Sequence, residues 1–329
     1  MTENERKLPI ILIGGATATG KTSFSIGLAQ KLKDQGINSE VINGDSLLFY
    51  RELNIGTAKP SLFERGEVPH HLIDICSVKN EMNANSFCEK AHTIIKNLHE
   101  KEVVPIIAGG SAFYIRALIK GMGPSTKVTK EIKEKIQLIE DEQGLPGLRT
   151  LLKNLDPKSH ERIHSNDQYR TTRALEHCLS YGDKFSKAQD ELERNGPYDF
   201  SKPKIAHWEV LNIFLNIPKE EHWEIIKNRS EKMIEDGLIS EVKALLKEGY
   251  SPELKPLQSI GYKEVISFLN EESSDTANLA QQIFIATRRL AKSQKTFFKK
   301  IEPKQEFNPL LQKTQFLDCC EQFLTALKL

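Results

Sequence analysis

The sequence predicts an α/β fold: a parallel sheet flanked by helices, carrying a phosphate-binding loop and interrupted by a helical insertion. Three observations carry that reading. Short apolar runs alternate with helical patterns through the first third of the 329 residues. The first run ends in Gly15-Ala16-Thr17-Ala18-Thr19-Gly20-Lys21-Thr22, which fits G-x-x-x-x-G-K-[ST]. From about residue 121 to 203 the strand signal disappears, and apolar residues recur at helical spacing.

Taken in order, Ile10-Ile11-Leu12-Ile13 reads as a buried strand and is followed by a helix to about Leu32. Glu40-Val41-Ile42-Asn43 predicts a second strand, and His71-Leu72-Ile73-Asp74-Ile75 a third. A helix is expected from about Ser86 to Leu98, then a strand at Val103-Val104-Pro105-Ile106-Ile107-Ala108, ended by Gly109-Gly110. Gly121-Met122-Gly123-Pro124 breaks the pattern. Ile132, Ile136 and Ile139, then Leu148, Leu151, Leu152 and Leu155, mark helices of the insertion. The strand signal returns at Val210-Leu211-Asn212-Ile213-Phe214-Leu215. Helices follow over 223–247, 262–270 and 277–299; residues from about Pro303 onward carry no clear pattern. The expected division is a core of residues 1–121 and 204–329, with residues 122–203 as the insertion.

The formal net charge is +1, so no global basic field attracts nucleic acid and any such site must be a local patch. The five cysteines, Cys76, Cys88, Cys178, Cys319 and Cys320, lack C-x-x-C spacing, which argues against a zinc finger and a secreted disulfide framework. No apolar run approaches the length of a membrane span, and the polar start Thr2-Glu3-Asn4-Glu5-Arg6-Lys7 is unlike a signal peptide. A cytoplasmic enzyme is expected.

A strand, a glycine-bearing loop and a helix N-terminus together make an anion cradle. Backbone N–H groups and the helix dipole favour phosphate there, Lys21 adds a point charge, and the Thr22 hydroxyl suits Mg²⁺. The chain is therefore expected to bind a di- or triphosphate. His70 and His71, neighbours on one strand, point to opposite faces and do not chelate one ion.

A second set of runs makes the reading specific: Asp45-Ser46-Leu47-Leu48-Phe49-Tyr50-Arg51, Asn54-Ile55-Gly56-Thr57-Ala58-Lys59-Pro60, Val68-Pro69-His70-His71-Leu72-Ile73-Asp74 and Gly109-Gly110-Ser111-Ala112-Phe113-Tyr114. Asn166-Asp167 to Arg170, Arg173-Ala174-Leu175-Glu176, Arg229 to Met233, Gly237-Leu238 with Glu241-Val242, Ile260-Gly261-Tyr262-Lys263-Glu264 and Ala286-Thr287-Arg288 continue the series. Over roughly residues 8 to 300 the chain resembles the tRNA dimethylallyltransferases, also called tRNA isopentenyltransferases. It departs from them at Ala16 and Thr19, where Pro and Ser are usual, at Leu48 and Tyr169, where Gln is usual, and at Ser111, where Thr is usual.

The resemblance implies transfer of a dimethylallyl group from its diphosphate to the exocyclic amine of the adenosine 3′-adjacent to the anticodon. For that reaction Asp45 is the candidate general base, a structural turn residue or a Mg²⁺ ligand being the alternatives, Ser111 offers a second hydrogen bond to the base, and Arg229, by its match to the family's diphosphate-binding arginine, joins Lys21 and the loop 15–22 on the diphosphate. Mg²⁺ would sit at Thr22. The expected tRNA contacts are Asp45, Ser46, Leu47, Leu48, Tyr169, Arg170, Arg173, Arg288, Lys292, Lys295 and Lys299. The last four recur at helical spacing in a segment, 276–300, that has six basic and no acidic residues. Phe113, Tyr114 and Tyr169 offer stacking surfaces. A monomer is expected. Three other readings stand at this point: a nucleoside or small-molecule kinase on the same core, a prenyltransferase acting on free adenine nucleotides, and a tRNA-binding protein without activity.

Overall fold

The structure, a computed structural model, describes residues 7–122, 128–271 and 274–329. Gly123 and Pro124 of the expected chain break, and the polar run 2–6, lie outside them. By internal packing the chain divides into Met1–Lys120 with Tyr198–Leu329, and Gly121–Pro197.

The first unit holds a six-stranded, all-parallel sheet. Its strands are β1 (Leu8–Gly15), β2 (Ser39–Asn43), β3 (His70–His71), β4 (Val104–Gly109), β5 (Trp208–Leu215) and β6 (Gln305–Phe307), in the order β3-β2-β4-β1-β5-β6. The helices of this unit are α1 (Lys21–Asp34), α2 (Leu62–Arg65), α3 (Ala84–Glu100) and α4 (Ala112–Lys120), then α9 (Lys219–Glu235), α10 (Leu238–Lys247), α11 (Tyr262–Asn270), α12 (Thr276–Phe298) and α13 (Lys313–Ala326). A parallel sheet must be covered on both faces, and its strands alternate between two cores. Ile10 and Leu12 of β1, Ile42 and Ile107 pack on one side with Phe87, Leu118, Val265 and Phe298. Ile11, Ile13, Val41 and Ile106 pack on the other with Leu28, Phe316 and Leu324. Each fully buried Ile contributes about 1.5–3 kcal/mol. The cores fix β1 at the centre, and the β1–α1 turn therefore opens at the carboxyl edge of the sheet.

Three sequence expectations need correction. The third strand is two residues long rather than five, because Leu72 and Asp74 take left-handed φ of 60° and 59°. There the Leu72 carbonyl accepts from Asn43 Nδ2 and the Asp74 carboxylate pairs with Lys59 and Arg65. The helix expected over 223–247 is two helices, parted at Gly237, whose φ of 101° a side chain would resist. The segment after Pro303 supplies a strand and a helix: β6 extends the sheet and α13 seals its second face through Phe316, Cys320 and Leu324.

The second unit is helical: α5 (Lys130–Leu155), α6 (Pro157–Arg162), α7 (Gln168–Tyr181) and α8 (Phe185–Arg194). Its core is Ile136, Leu148, Leu152, Ile163, Ala174 and Leu175. α5 is kinked at Gly144, two residues before Pro146. Asp156 is fully buried. Burial alone would raise its pKa, but it accepts hydrogen bonds from N–H and Oγ of both Ser159 and Ser186, and these hold it low.

Candidate active site

A cleft of about 1150 Å³ opens at the carboxyl edge of the sheet, lined by the β1–α1 turn, the segment after β2, the Gly109–Phe113 turn, Arg229 and one face of α12. That is where an open parallel α/β sheet places a ligand.

The β1–α1 turn forms because β1 ends in small residues and the chain then curls. Ala18 takes φ 61° and Gly20 φ 79°, and this alternation of hand turns N–H groups toward one concavity. The Ala16 carbonyl accepts from Thr19 Oγ1 at 2.9 Å and from Lys21 Nζ at 2.7 Å. Thr17 is held from outside: its N–H donates to Gln294 Oε1 at 2.8 Å, and its carbonyl accepts from His222 Nε2 at 2.8 Å. The Thr17 amide is thus already engaged, one exception to the expectation that the loop amides turn to phosphate. Thr22 is exposed at the second position of α1 and lines the cleft.

Lys21 starts α1 inside the cleft. Burial pulls its ammonium down to about 8; the negative charge of Asp45 opposes the fall and the positive charge of Arg229 adds to it. Arg229 comes from α9; burial lowers its pKa too, and Asp45 opposes that shift. Its Nη2 donates to the Thr57 carbonyl at 3.5 Å. The loop carrying Thr57 is anchored by Glu241, which accepts from the N–H groups of Asn54 and Ile55 and from Tyr262 Oη at 2.6 Å. Glu241 and Tyr262 are thereby supports of Arg229, a role their spacing in sequence did not reveal.

Asp45 sits in the turn after β2. Its N–H donates to Asn43 Oδ1 at 2.8 Å, and its Oδ1 accepts from the Leu47 N–H at 3.1 Å, leaving the carboxylate at the cleft wall. Ser111 does not stand alone beside it: Ser111 Oγ accepts from the Ser46 N–H at 3.0 Å and donates to Ser46 Oγ at 3.2 Å. The close approach requires glycine, since a Cβ on Gly109 would lie 2.2 Å from the Gly44 backbone. Ser46, Leu47 and Leu48 also line the cleft, as do Phe113 and Tyr114.

Among the residues expected to meet RNA, Arg288, Lys292 and Lys295 of α12 and Lys299 at its C-cap lie on the side away from the cleft, whose wall is formed by Ile283, Thr287, Leu290, Gln294 and Phe297. Lys292 and Lys299 are exposed. Lys295 is not: its ammonium donates to the Ile217 carbonyl at 2.6 Å, which removes it from the expected solvent-facing set. Arg288 stacks 4.4 Å from the centre of Trp223, over which Lys219 also sits, at 4.3 Å. In the helical unit Tyr169 is 67% exposed, Arg170 pairs with Asp167 at 3.0 Å and Arg173 pairs with Glu176 at 2.7 Å. Asp167 also caps α7 by accepting from the Arg170 N–H. His70 and His71 bond separately, to the Val68 carbonyl and the Glu40 carboxylate. No group of three or more His, Cys, Asp or Glu that could hold a metal exists among the described residues, and no helix among them is long and apolar enough to cross a membrane.

A glycine-bearing loop at the carboxyl edge of a parallel sheet, facing a carboxylate across a cleft that also holds Lys21 and Arg229, places the chain among the α/β proteins with a cleft at a strand–loop–helix turn. Within that class the match is specific. The family model for IPP transferase fits residues 48–301, and the chain belongs to that family. It is 38% identical over 295 residues to the tRNA dimethylallyltransferase of Syntrophobacter fumaroxidans, covering 89% of this chain and 81% of that one. The crystal structure of the tRNA isopentenylpyrophosphate transferase of Staphylococcus epidermidis superposes with a TM-score of 0.67 at 29% identity, over 97% of this chain and 100% of the other. A eukaryotic dimethylallyltransferase acting on tRNA superposes with a TM-score of 0.79 at 25% identity, over 97% and 80%.

Proposed function

We propose that this chain is a tRNA dimethylallyltransferase, moving the dimethylallyl group of dimethylallyl diphosphate to the exocyclic amine of the adenosine 3′-adjacent to the anticodon. The observation that carries the reading is the convergence of Lys21, Arg229 and Asp45 on one cleft. The allylic C–O bond breaks and its electron pair leaves on the diphosphate, where Lys21, Arg229 and the loop stabilise the growing charge. The C–N bond forms at the adenine amine, whose lone pair is shared with the ring and whose proton becomes acidic as it bonds. Asp45 takes that proton. Ser111, tied to Ser46, holds the Asp45 turn in place.

Magnesium fits the site in the way it commonly binds phosphates, through one or two protein oxygens with the rest supplied by ligand and water. Thr22 would hold it, and the ion would neutralise diphosphate charge. Arg170, Arg173, Arg288, Lys292 and Lys299 are offered as phosphate contacts on tRNA, and Tyr169 as a stacking surface. A tRNA acceptor fits a cytoplasmic protein, and Lys21, Arg229 and Asp45 all line one cleft of a single chain, which is in keeping with a monomer.

Mass spectrometry of nucleosides from unmodified tRNA, incubated with the protein, Mg²⁺ and dimethylallyl diphosphate, tests this. Isopentenyladenosine is expected. ATP consumption with some acceptor, and no prenylated nucleoside, would support the kinase reading instead.

A further inference from the structure

The two peptide planes flanking Thr17 are each pinned by a side chain from far along the chain. The plane between Ala16 and Thr17 presents its N–H to Gln294 Oε1 and its carbonyl to Lys21 Nζ and Thr19 Oγ1. The plane between Thr17 and Ala18 presents its carbonyl to His222 Nε2. A carbonyl only accepts, so Nε2 carries the proton; burial keeps this ring, 1% exposed, below its ordinary pKa. Gln294 uses its other end as well, donating Nε2 to the Gly110 carbonyl at 2.9 Å, next to Ser111. Ala18, directly after the second plane, holds the left-handed φ of 61°, which is costly for a residue with a Cβ and persists only where neighbours enforce it.

We propose that His222 and Gln294 are positioning residues for the diphosphate site. This rests on the transferase reading above. Neither residue needs to touch the ligand. Gln294 orients the plane whose carbonyl anchors Lys21, and at the same time ties the phosphate loop to the Gly110–Ser111 turn behind Asp45. His222 orients the plane that forces Ala18 into its left-handed turn. Without Gln294 the Ala16–Thr17 plane rotates, and the Lys21 ammonium loses its fixed acceptor.

The test is calorimetric titration of the full-length protein with dimethylallyl diphosphate and Mg²⁺, without tRNA, so that no transfer occurs. Gln294→Leu and His222→Leu should each weaken binding about tenfold, the upper range for one buried hydrogen bond. His222→Gln, whose amide N–H reaches the same carbonyl, should restore binding to within about threefold. In turnover assays the Leu variants should show a raised KM for the diphosphate and a lowered kcat, because Lys21 also stabilises the departing diphosphate, while KM for tRNA stays within about threefold, a split that general loss of fold does not produce. Binding within about twofold of the parent in both Leu variants overturns the proposal and leaves the transferase reading intact. If the parent protein binds no dimethylallyl diphosphate, both readings fall together. Should His222→Leu fail to fold, Gln294→Leu decides alone, because Gln294 is only half-buried at the cleft wall.

Discussion

Raising the pH from 7 to 9 should weaken binding of dimethylallyl diphosphate about tenfold, through Lys21. The free protein holds this ammonium at a pKa of about 8, because burial penalises its charge more than Asp45 supports it. A bound diphosphate brings at least two negative charges and raises that pKa well above 9. Above pH 8 the free protein must therefore take up a proton to bind, and affinity falls as pH rises. The protonated fraction drops from about 0.9 at pH 7 to about 0.09 at pH 9, which is the expected tenfold. The ligand does not confuse the result, since the last ionisation of such a phosphate lies near pH 6. Isothermal titration in buffers of differing ionisation enthalpy should show uptake of about half a proton at pH 8. Lys21→Arg, which stays charged, should bind with little pH dependence over the same range. A parent protein with flat affinity to pH 9.5, or an Arg variant with the same slope, would refute the argument.

Asp45→Asn keeps an oxygen for the Leu47 N–H and so keeps the turn, but removes the proton acceptor. Single-turnover rates should fall on the order of 10²–10⁴-fold, with donor binding little changed. Glu241→Ala removes the acceptor for two N–H groups and the Tyr262 hydroxyl. It should cost about 2–4 kcal/mol in chemical denaturation and raise KM for the diphosphate, because Arg229 loses its braced neighbour Thr57. Replacing Lys292 and Lys299 by Gln should make the slope of log tRNA affinity against log salt shallower by about 0.7–0.9 for each phosphate no longer neutralised, with donor binding unaffected. An unchanged slope would return this helix face to ordinary solvation.

The elements legible in the sequence were those whose signal is local. Four apolar runs predicted strands near their observed limits, because a strand buried on both faces needs no partner to declare itself. The phosphate loop was legible because its spacing reflects a local turn. What was missed depends on distant chain. β6 is three residues, two of them exposed, and exists as a strand only because β5 offers an edge. The third strand is shorter than expected because Ile and Leu at 72–75 look extended, whereas Asp74 is drawn to Lys59 and Arg65. Glu241, Tyr262 and Gln294 are ordinary helix-face residues until the loops they hold are known to lie beside them.

The helix α12 shows how far periodicity reaches and where it stops. Spacing put four basic residues on one face of this helix, and the buried residues Leu279, Ala280, Ile283, Ala291 and Phe298 fall on another. It could not say that the apolar side also forms a wall of the cleft, nor that Gln294 on that wall ties the phosphate loop to the Gly110 turn. Nor could it separate Lys295 from Lys292 and Lys299. All three lie within about 60° of one another around the axis at 3.6 residues per turn. Lys295 lies nearest the buried edge, and there the Ile217 carbonyl just past the end of β5 is an acceptor in need of a donor. A charge sum treats the three alike. The backbone of the neighbouring element does not, and it turns one of them from a candidate RNA ligand into a tie between α12 and the sheet. Lys295→Gln should consequently lower the melting temperature by a few degrees, as removal of a charge-assisted hydrogen bond does. It should leave the salt slope of tRNA binding unchanged; a shallower slope at constant stability would put Lys295 back among the residues that meet RNA phosphates.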